Sequence, residues 1–259
     1  MIYQNLSFEQ RLHNAIGAQE IEQVKAWHAY THGMGYSKEE WDAIWYRGED
    51  VTWAHFFGRM VGWDEVWFGS VVNPEEGYYE RYCNHILNYK GASYFDARSV
   101  GCTALHCLAS PVIEVAEDGM SGRSCYLTPG TMMARMSPNK RRNGGFLWER
   151  YGSDFVLEHG RWLYLHEQVC PDIMGKLDMT NFAHDDYERL TAPVEKGIGP
   201  VTLGQDPDVT DPGPLHLPYS VIMPPQNTVP WPEPYETLDN EHSYTPVKTA
   251  AEIAAEQSK

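Results

Sequence analysis

Basic residues are scarce in this 259-residue chain: 20 Lys and Arg stand against 36 Asp and Glu, a formal charge of −16 at pH 7. An acidic surface of that kind repels phosphate backbones and offers no electrostatic footprint for DNA or RNA, so nucleic acid is excluded as the expected partner. No run of about 18 apolar residues occurs, so no membrane-spanning helix is expected. The first fourteen residues carry Glu9, Arg11 and His13 where a secretory signal needs an unbroken apolar stretch, which makes a cytoplasmic protein the expectation. Cysteine is sparse: Cys83, Cys102, Cys107, Cys125 and Cys170 form an odd set with no CxxC, the pattern of small buried thiols rather than of disulfides or zinc. Phosphate-loop spacing is missing, and no Ser-His-Asp or Cys-His signature stands out. Neither a nucleotide nor a metal cofactor is expected.

What the chain has in quantity is aromatic residues and proline, unevenly placed. Nine Trp and 16 Tyr include a cluster from Trp41 to Trp67, followed by Tyr78, Tyr79 and Tyr82. Twelve of the 17 prolines fall between Pro193 and Pro246, and residues 185–259 hold 13 acidic and 4 basic residues, −9 of the total −16. The chain therefore divides into a folded body, 1–185, and an acidic, proline-rich arm, 186–259. Leu215-His216-Leu217-Pro218-Tyr219 and Val229-Pro230-Trp231 give the arm apolar surface to bury. It reads as an extended strap lying on the body or on a neighbouring subunit rather than as a disordered arm, with a short helix at 249–257.

Within the body, helical spacing runs through 7–16 and 18–31, the second with Ile21, Val24, Trp27, His28 and Thr31 along one side. Ser37-Lys38-Glu39-Glu40 is a capping box opening a helix through Trp41, Ile44 and Trp45, and Pro74 precedes another at 75–87. From Gly101 the period changes to two, giving strands at 103–115, 119–127, 146–158 and 161–169 with turns at Glu117-Asp118-Gly119 and Glu158-His159-Gly160-Arg161. Helices first and antiparallel strands second predict an α+β fold. The 128–145 connection, with Met132, Met133 and Met136 and glycines 130, 144 and 145, reads as a lid.

The run from His106 to Val115, then Glu117-Asp118-Gly119 and Ser121-Gly122-Arg123-Ser124-Cys125-Tyr126, resembles the central strands of the SnoaL-like family of the nuclear transport factor two-like superfamily. Glu149-Arg150-Tyr151 and Gly160-Arg161-Trp162-Leu163-Tyr164-Leu165-His166-Glu167 match that family's last two strands, and Glu40-Trp41-Asp42-Ala43-Ile44-Trp45 its opening helices. The resemblance covers roughly residues 20–172. It implies a cone-shaped α+β barrel in which a curved antiparallel sheet wraps around N-terminal helices and encloses one deep apolar pocket. It also implies a cofactor-independent enzyme. Relatives include dehydratases, isomerases, cyclases and carbon–carbon lyases, some of which release formaldehyde from lignin-derived two-ring compounds, and others that only bind ligands. Relatives often pair through the outer face of the sheet, where Leu163, Leu165 and Val169 would supply an apolar stripe, so a homodimer or higher oligomer is expected.

A cofactor-free pocket needs groups that move a proton near neutrality, which directs attention to histidine and tyrosine. Strand alternation places Trp162, Tyr164, His166 and Gln168 on one face, with Leu163, Leu165, Glu167 and Val169 on the other. His106 and His166 are the expected acid/base pair, with His28 and Tyr46 as further catalytic candidates. Arg59, Tyr30, Trp45, Trp53, Phe56 and Tyr164 are the expected substrate-binding residues, suited to a bulky phenolic aromatic compound. The competing reading of each is a satisfied core histidine, a packed aromatic or a structural ion pair. His28 and His32 share a helix face at i, i+4 but lack a third ligand, so no metal site is expected.

Overall fold

The structure, a computed structural model, describes residues 6–33, 37–55, 58–63, 66, 103–135, 142–176, 216, 219 and 224–245. Phe56, Phe57 and the expected helices at 75–87 and 249–257 lie outside the described residues.

The two helices expected at 7–16 and 18–31 are one, α1 (Phe8–Gly33). Ser7 caps it reciprocally: the Gln10 N–H donates to Ser7 Oγ (3.2 Å) and the Ser7 N–H to Gln10 Oε1 (2.9 Å). Gly17 does not break the helix because its missing side chain lets α1 lie close on the sheet. A Cβ there would stand 3.1 Å from Val115 and 3.2 Å from Trp162. The capping-box helix follows as α2 (Ser37–Ile44).

Among the described residues seven strands form one curved, unclosed sheet: β1 (Thr52–His55), β2 (Gly58–Val61), β3 (Thr103–His106), β4 (Ala109–Val115), β5 (Ser121–Arg135), β6 (Arg142–Glu158) and β7 (Arg161–Lys176). The order is β2-β1-β7-β6-β5-β3, with β4 also on β5. Every pairing is antiparallel except β1 with β7. The strand expected at 103–115 breaks at Cys107 and Leu108, with Ser110 at φ 50° and a register shift, so its halves pair with successive stretches of β5. Within the 128–145 segment Thr128 to Arg135 pairs residue by residue with Arg142 to Glu149, extending the β5–β6 hairpin, and residues 136–141 at its tip, on which the expected lid partly falls, lie outside the described residues. The β6–β7 turn is the two-residue hairpin expected, with His159 at φ 51° and Gly160 at φ 75°.

One irregularity decides which side chains meet. Asp154 pairs with His166, but the next pair along is Phe155 with Tyr164, so Leu165 is bulged out of the β6–β7 ladder. A bulge resets the alternation. Trp162 and Tyr164 face α1, and beyond the bulge Glu167 and Val169 share the face of their partners Ser153 and Tyr151, the face of Tyr164, while His166 turns to the other side with Asp154. The expected stripe of Leu163, Leu165 and Val169 therefore does not form. The α1-facing side holds the main core, with Ile21, Trp41, Trp45, Val115, Phe155, Trp162 and Tyr164 buried together.

Residues 224–245 lie across the opposite side of the sheet. Val229 packs with Cys125 and Cys170, and Gly152 admits the arm closely, since a Cβ there would meet Val229 at 2.7 Å and Tyr244 at 2.9 Å. The Arg123 guanidinium sits 4.4 Å from the Tyr244 ring and 5.7 Å from that of Tyr235. Backbone bonds from Glu117 to the Tyr235 carbonyl (3.0 Å) and from Asp118 to that of Glu236 (3.2 Å) tie the arm to the β4–β5 turn.

Candidate active site

The α1-facing side of the sheet is not a purely apolar core. Ionisable side chains from α1, α2 and four strands converge on it among tyrosine rings. From α1, His28 places Nδ1 2.6 Å from Glu40 Oε1 of α2, both buried. With Glu40 ionised, the ring donates through Nδ1–H, which fixes the tautomer whose lone pair is on Nε2. Thr31 Oγ1, bonded to the Trp27 carbonyl at 2.7 Å, stands 3.3 Å from the other Glu40 oxygen. Burial, reinforced by the positive charge of Lys25, pulls the His28 pKa down to about 3, so the ring is neutral near pH 7.

The second pair joins side chains of β3 and β6 across the intervening β5. His106 Nδ1 lies 2.8 Å from Glu149 Oε2, and the Tyr151 hydroxyl donates to the same oxygen at 2.9 Å. Both imidazoles pack against the Tyr151 ring: centroid distances are 5.8 Å for His28 and 6.0 Å for His106. Burial and the neighbouring carboxylates push the Tyr151 and Tyr164 hydroxyls well above their usual range, and burial does the same for Tyr126. These phenols are donors, not bases.

A third group lies one turn from His28. Lys25 is fully buried, with Nζ 2.9 Å from Ser153 Oγ and 3.2 Å from Glu167 Oε1. The Ser153 hydroxyl donates to Glu167 Oε2. Among the described residues, the side-chain polar atoms of Ser124, Tyr126, Thr128, Tyr164 and Trp45 are buried without a hydrogen-bond partner. A cluster of unsatisfied donors next to two His–carboxylate pairs is what a ligand-binding interior presents and a structural core avoids.

The sequence-predicted residues are distributed unevenly around this cluster. His28, His106 and Tyr164 are in it, and Trp45 forms its wall, stacked on Tyr164 at 4.8 Å and on Trp41 at 3.7 Å. His166 is not: the bulge turns it toward the arm, where Nδ1 lies 2.9 Å from Asp154 Oδ2 and 2.8 Å from Ser243 Oγ, and Nε2 donates to the Asp50 carbonyl at 2.9 Å. Tyr30 is 77% exposed on the outer side of α1, so it does not reach the cluster. Tyr46 follows the Trp45 bridge at the sheet margin, where the negative charge of Asp50 raises its hydroxyl pKa. Arg59 is buried on β2, opposite Ala54 of β1, and Trp53 packs against the core. Phe56 lies outside the described residues.

Sequence reasoning missed Lys25, Glu40, Glu149, Tyr151, Ser153 and Glu167. Lys25 carried a usable signal, since a lysine four residues after Ile21 and three before His28 falls on the buried side of α1. Glu40 read as part of a cap. Among the described residues no group of three or more His, Cys, Asp or Glu could hold a metal ion. A groove of about 240 Å³ opens elsewhere, between α1, α2 and the β6–β7 turn, beside Val24, Ile44 and Trp162. It contains neither histidine pair.

No protein-family model and no curated protein matches the sequence. Solved structures with a similar chain path do exist. A protein described as a candidate scytalone dehydratase from Novosphingobium aromaticivorans is 14% identical, with a TM-score of 0.45 over 68% of this chain and 95% of that one. A nuclear transport factor 2 (NTF2-like) superfamily protein from Salmonella enterica is 14% identical, with a TM-score of 0.41 over 60% and 90%. The hexachlorocyclohexane dehydrochlorinase LinA-type3 from Novosphingobium barchaimii is 10% identical, with a TM-score of 0.44 over 69% and 99%. At such identities and scores these likenesses assign no activity to this chain. No helix among the described residues is long and apolar enough to cross a membrane.

Proposed function

We propose that the protein is a cofactor-independent lyase for a bulky phenolic aromatic compound, with His28–Glu40 and His106–Glu149 as its two proton-transfer pairs. The observation that supports this reading is the packing of both imidazoles on the single Tyr151 ring, at 5.8 and 6.0 Å, which brings an acid and a base within the span of one small molecule. The rings of Tyr126, Tyr164 and Trp45 suit a flat substrate, and their buried donors suit its oxygens. His106, donating through Nδ1 to Glu149, delivers a proton from Nε2 to the benzylic oxygen, which departs as water, while the substrate, bound as its phenolate, supplies the electron pair. His28 then takes the proton of a terminal hydroxyl. The adjacent carbon–carbon bond breaks, its electrons restore the aromatic ring, and formaldehyde departs.

Loss of water alone would use the same two pairs, with His28 taking a carbon-bound proton instead of the hydroxyl proton, as in a dehydratase. Product analysis on lignin-derived two-ring phenolic diols separates the readings: formaldehyde with a one-carbon-shorter product is expected. A mass loss of water alone would make the protein a dehydratase, and tight retention of ligand without turnover would make it a binding module.

The protein also self-associates in this reading, through a different surface from the one first expected. Phe8, Leu12, Ile16, Trp27 and Tyr30 are exposed along the outer side of α1. Their spacing returns to one helix face over the whole length of α1. Sedimentation is expected to show a dimer that Leu12→Glu converts to monomer. A wild-type monomer at micromolar concentration would contradict it.

A further inference from the structure

The mechanism above leaves Lys25 unused, and its setting is unusual for a structural charge. It points inward from α1 and is fully buried, and the rings of Tyr126, Tyr151 and Tyr164 surround Nζ at 5.2, 4.9 and 5.1 Å. Its polar contacts are with Ser153 (2.9 Å) and Glu167 (3.2 and 3.5 Å), and Ser153 in turn donates to Glu167. A buried ion pair is weak evidence for a stabilising role, because well-packed apolar residues do as well at lower desolvation cost. Burial lowers the pKa of the amine despite Glu167, so the resting ammonium gives up its proton more readily than a surface lysine does. Glu167 is placed to accept the ammonium proton. The Tyr126, Tyr164 and Ser124 hydroxyls, buried and without partners among the described residues, are available to a polar adduct.

We infer that Lys25 is an imine-forming amine that gives the site a second activity, on aryl aldehydes and ketones. The substrate for turnover is an aryl ketone with a hydroxymethyl group on the carbon next to the carbonyl. The Nζ lone pair adds to the carbonyl carbon, and the resulting carbinolamine loses water to give a protonated imine. His28 removes the hydroxymethyl O–H proton. The carbon–carbon bond breaks, its electron pair moves toward the iminium to form an enamine, and formaldehyde leaves. The enamine carbon takes a proton back, and water releases the shortened ketone and free Lys25. No oxidant or reductant is consumed.

Reductive trapping tests this without requiring turnover. The full-length protein is incubated with 4-hydroxybenzaldehyde and cyanoborohydride, digested, and mapped by mass spectrometry. A hydroxybenzyl adduct at Lys25 is expected, forming roughly tenfold faster than at any other lysine and suppressed by excess 4-hydroxybenzyl alcohol, which has the shape of the aldehyde but forms no imine. Lys25→Arg, checked for folding by circular dichroism, should abolish only that adduct. If the variant does not fold, the competition by 4-hydroxybenzyl alcohol decides alone. Labelling of Lys25 no faster than of the other lysines, or unaffected by the competitor, would overturn the proposal and return Lys25–Glu167 to a structural pair. Trapping without formaldehyde release from phenolic diols would uphold the imine and sink the acid/base lyase. Formaldehyde release without trapping would do the reverse.

Discussion

Replacing Glu40 by glutamine separates the charge of the first pair from its shape. Glu40 receives the His28 Nδ1–H at 2.6 Å, and its other oxygen lies 3.3 Å from Thr31 Oγ1, whose own hydrogen is held by the Trp27 carbonyl at 2.7 Å. In Glu40→Gln the new amide can donate to Thr31 and keep its oxygen toward His28, so the tautomer survives. What disappears is the negative charge facing the imidazolium that forms when His28 takes a proton. Two unit charges about 4 Å apart attract by roughly 4 kcal/mol at an effective dielectric of 20, an upper bound equivalent to about a thousandfold in rate. A fall in kcat of about 100- to 1,000-fold with KM nearly unchanged is expected. The resting ring is neutral, so stability loses only about 1 to 3 kcal/mol, or a few degrees in Tm. Imidazole nitrogen NMR should report Nδ1–H in both proteins. A variant that turns over within threefold of wild type at unchanged Tm would refute the assignment of His28–Glu40 as a proton-transfer pair.

The remaining expectations concern pH and the arm. His28 has a folded pKa of about 3, below its unfolded value of 6.5, so the unfolded chain binds more protons between these limits. Stability should therefore fall with acidification below pH 6.5, by up to roughly 1.4 kcal/mol per unit from this group, and His28→Gln should flatten the slope in denaturant titrations at pH 7 to 5. Equal slopes would contradict its buried, neutral state. Tyr126, Tyr151 and Tyr164 have raised folded pKa values, so they stabilise the fold below pH 10 and lose that contribution as pH rises further. Tyrosinate absorbance from these three should appear only with unfolding, and early ionisation at unchanged circular dichroism would show an open cluster. His166→Ala should lower stability by about 1 to 3 kcal/mol and expose residues 224–245 to proteolysis, with turnover changed less than about threefold. A larger rate loss at unchanged Tm would return His166 to the active site.

The architecture was largely legible because hydrophobic period and turn residues act locally. The His159–Gly160 hairpin and the change from helical to alternating spacing were visible without knowing any tertiary contact. What escaped depends on contacts distant in sequence. Gly17 reads as a helix break until Val115 and Trp162 are seen to need the space. Strict alternation puts His166 beside Tyr164 and sends Glu167 away, and the one-residue bulge at Leu165 reverses both. The methionine-rich 128–145 segment looked like a loop because its prolines and glycines outweigh its strand formers, although Gly130 is required where a Cβ would lie 2.5 Å from the Leu105 carbonyl. The histidine candidates His28 and His106 could be chosen by residue type alone. Their partners Glu40 and Glu149 could not, since glutamates normally belong to the surface and nothing local marks these two as buried.

The central claim is that two histidine–glutamate pairs flanking Tyr151 carry the chemistry. The most direct measurement is kcat/KM for formaldehyde release from a phenolic two-ring diol by His28→Gln and His106→Gln, each with wild-type circular dichroism. A loss of about 100-fold or more in both variants is predicted. Two folded variants that both retain turnover within threefold would contradict it.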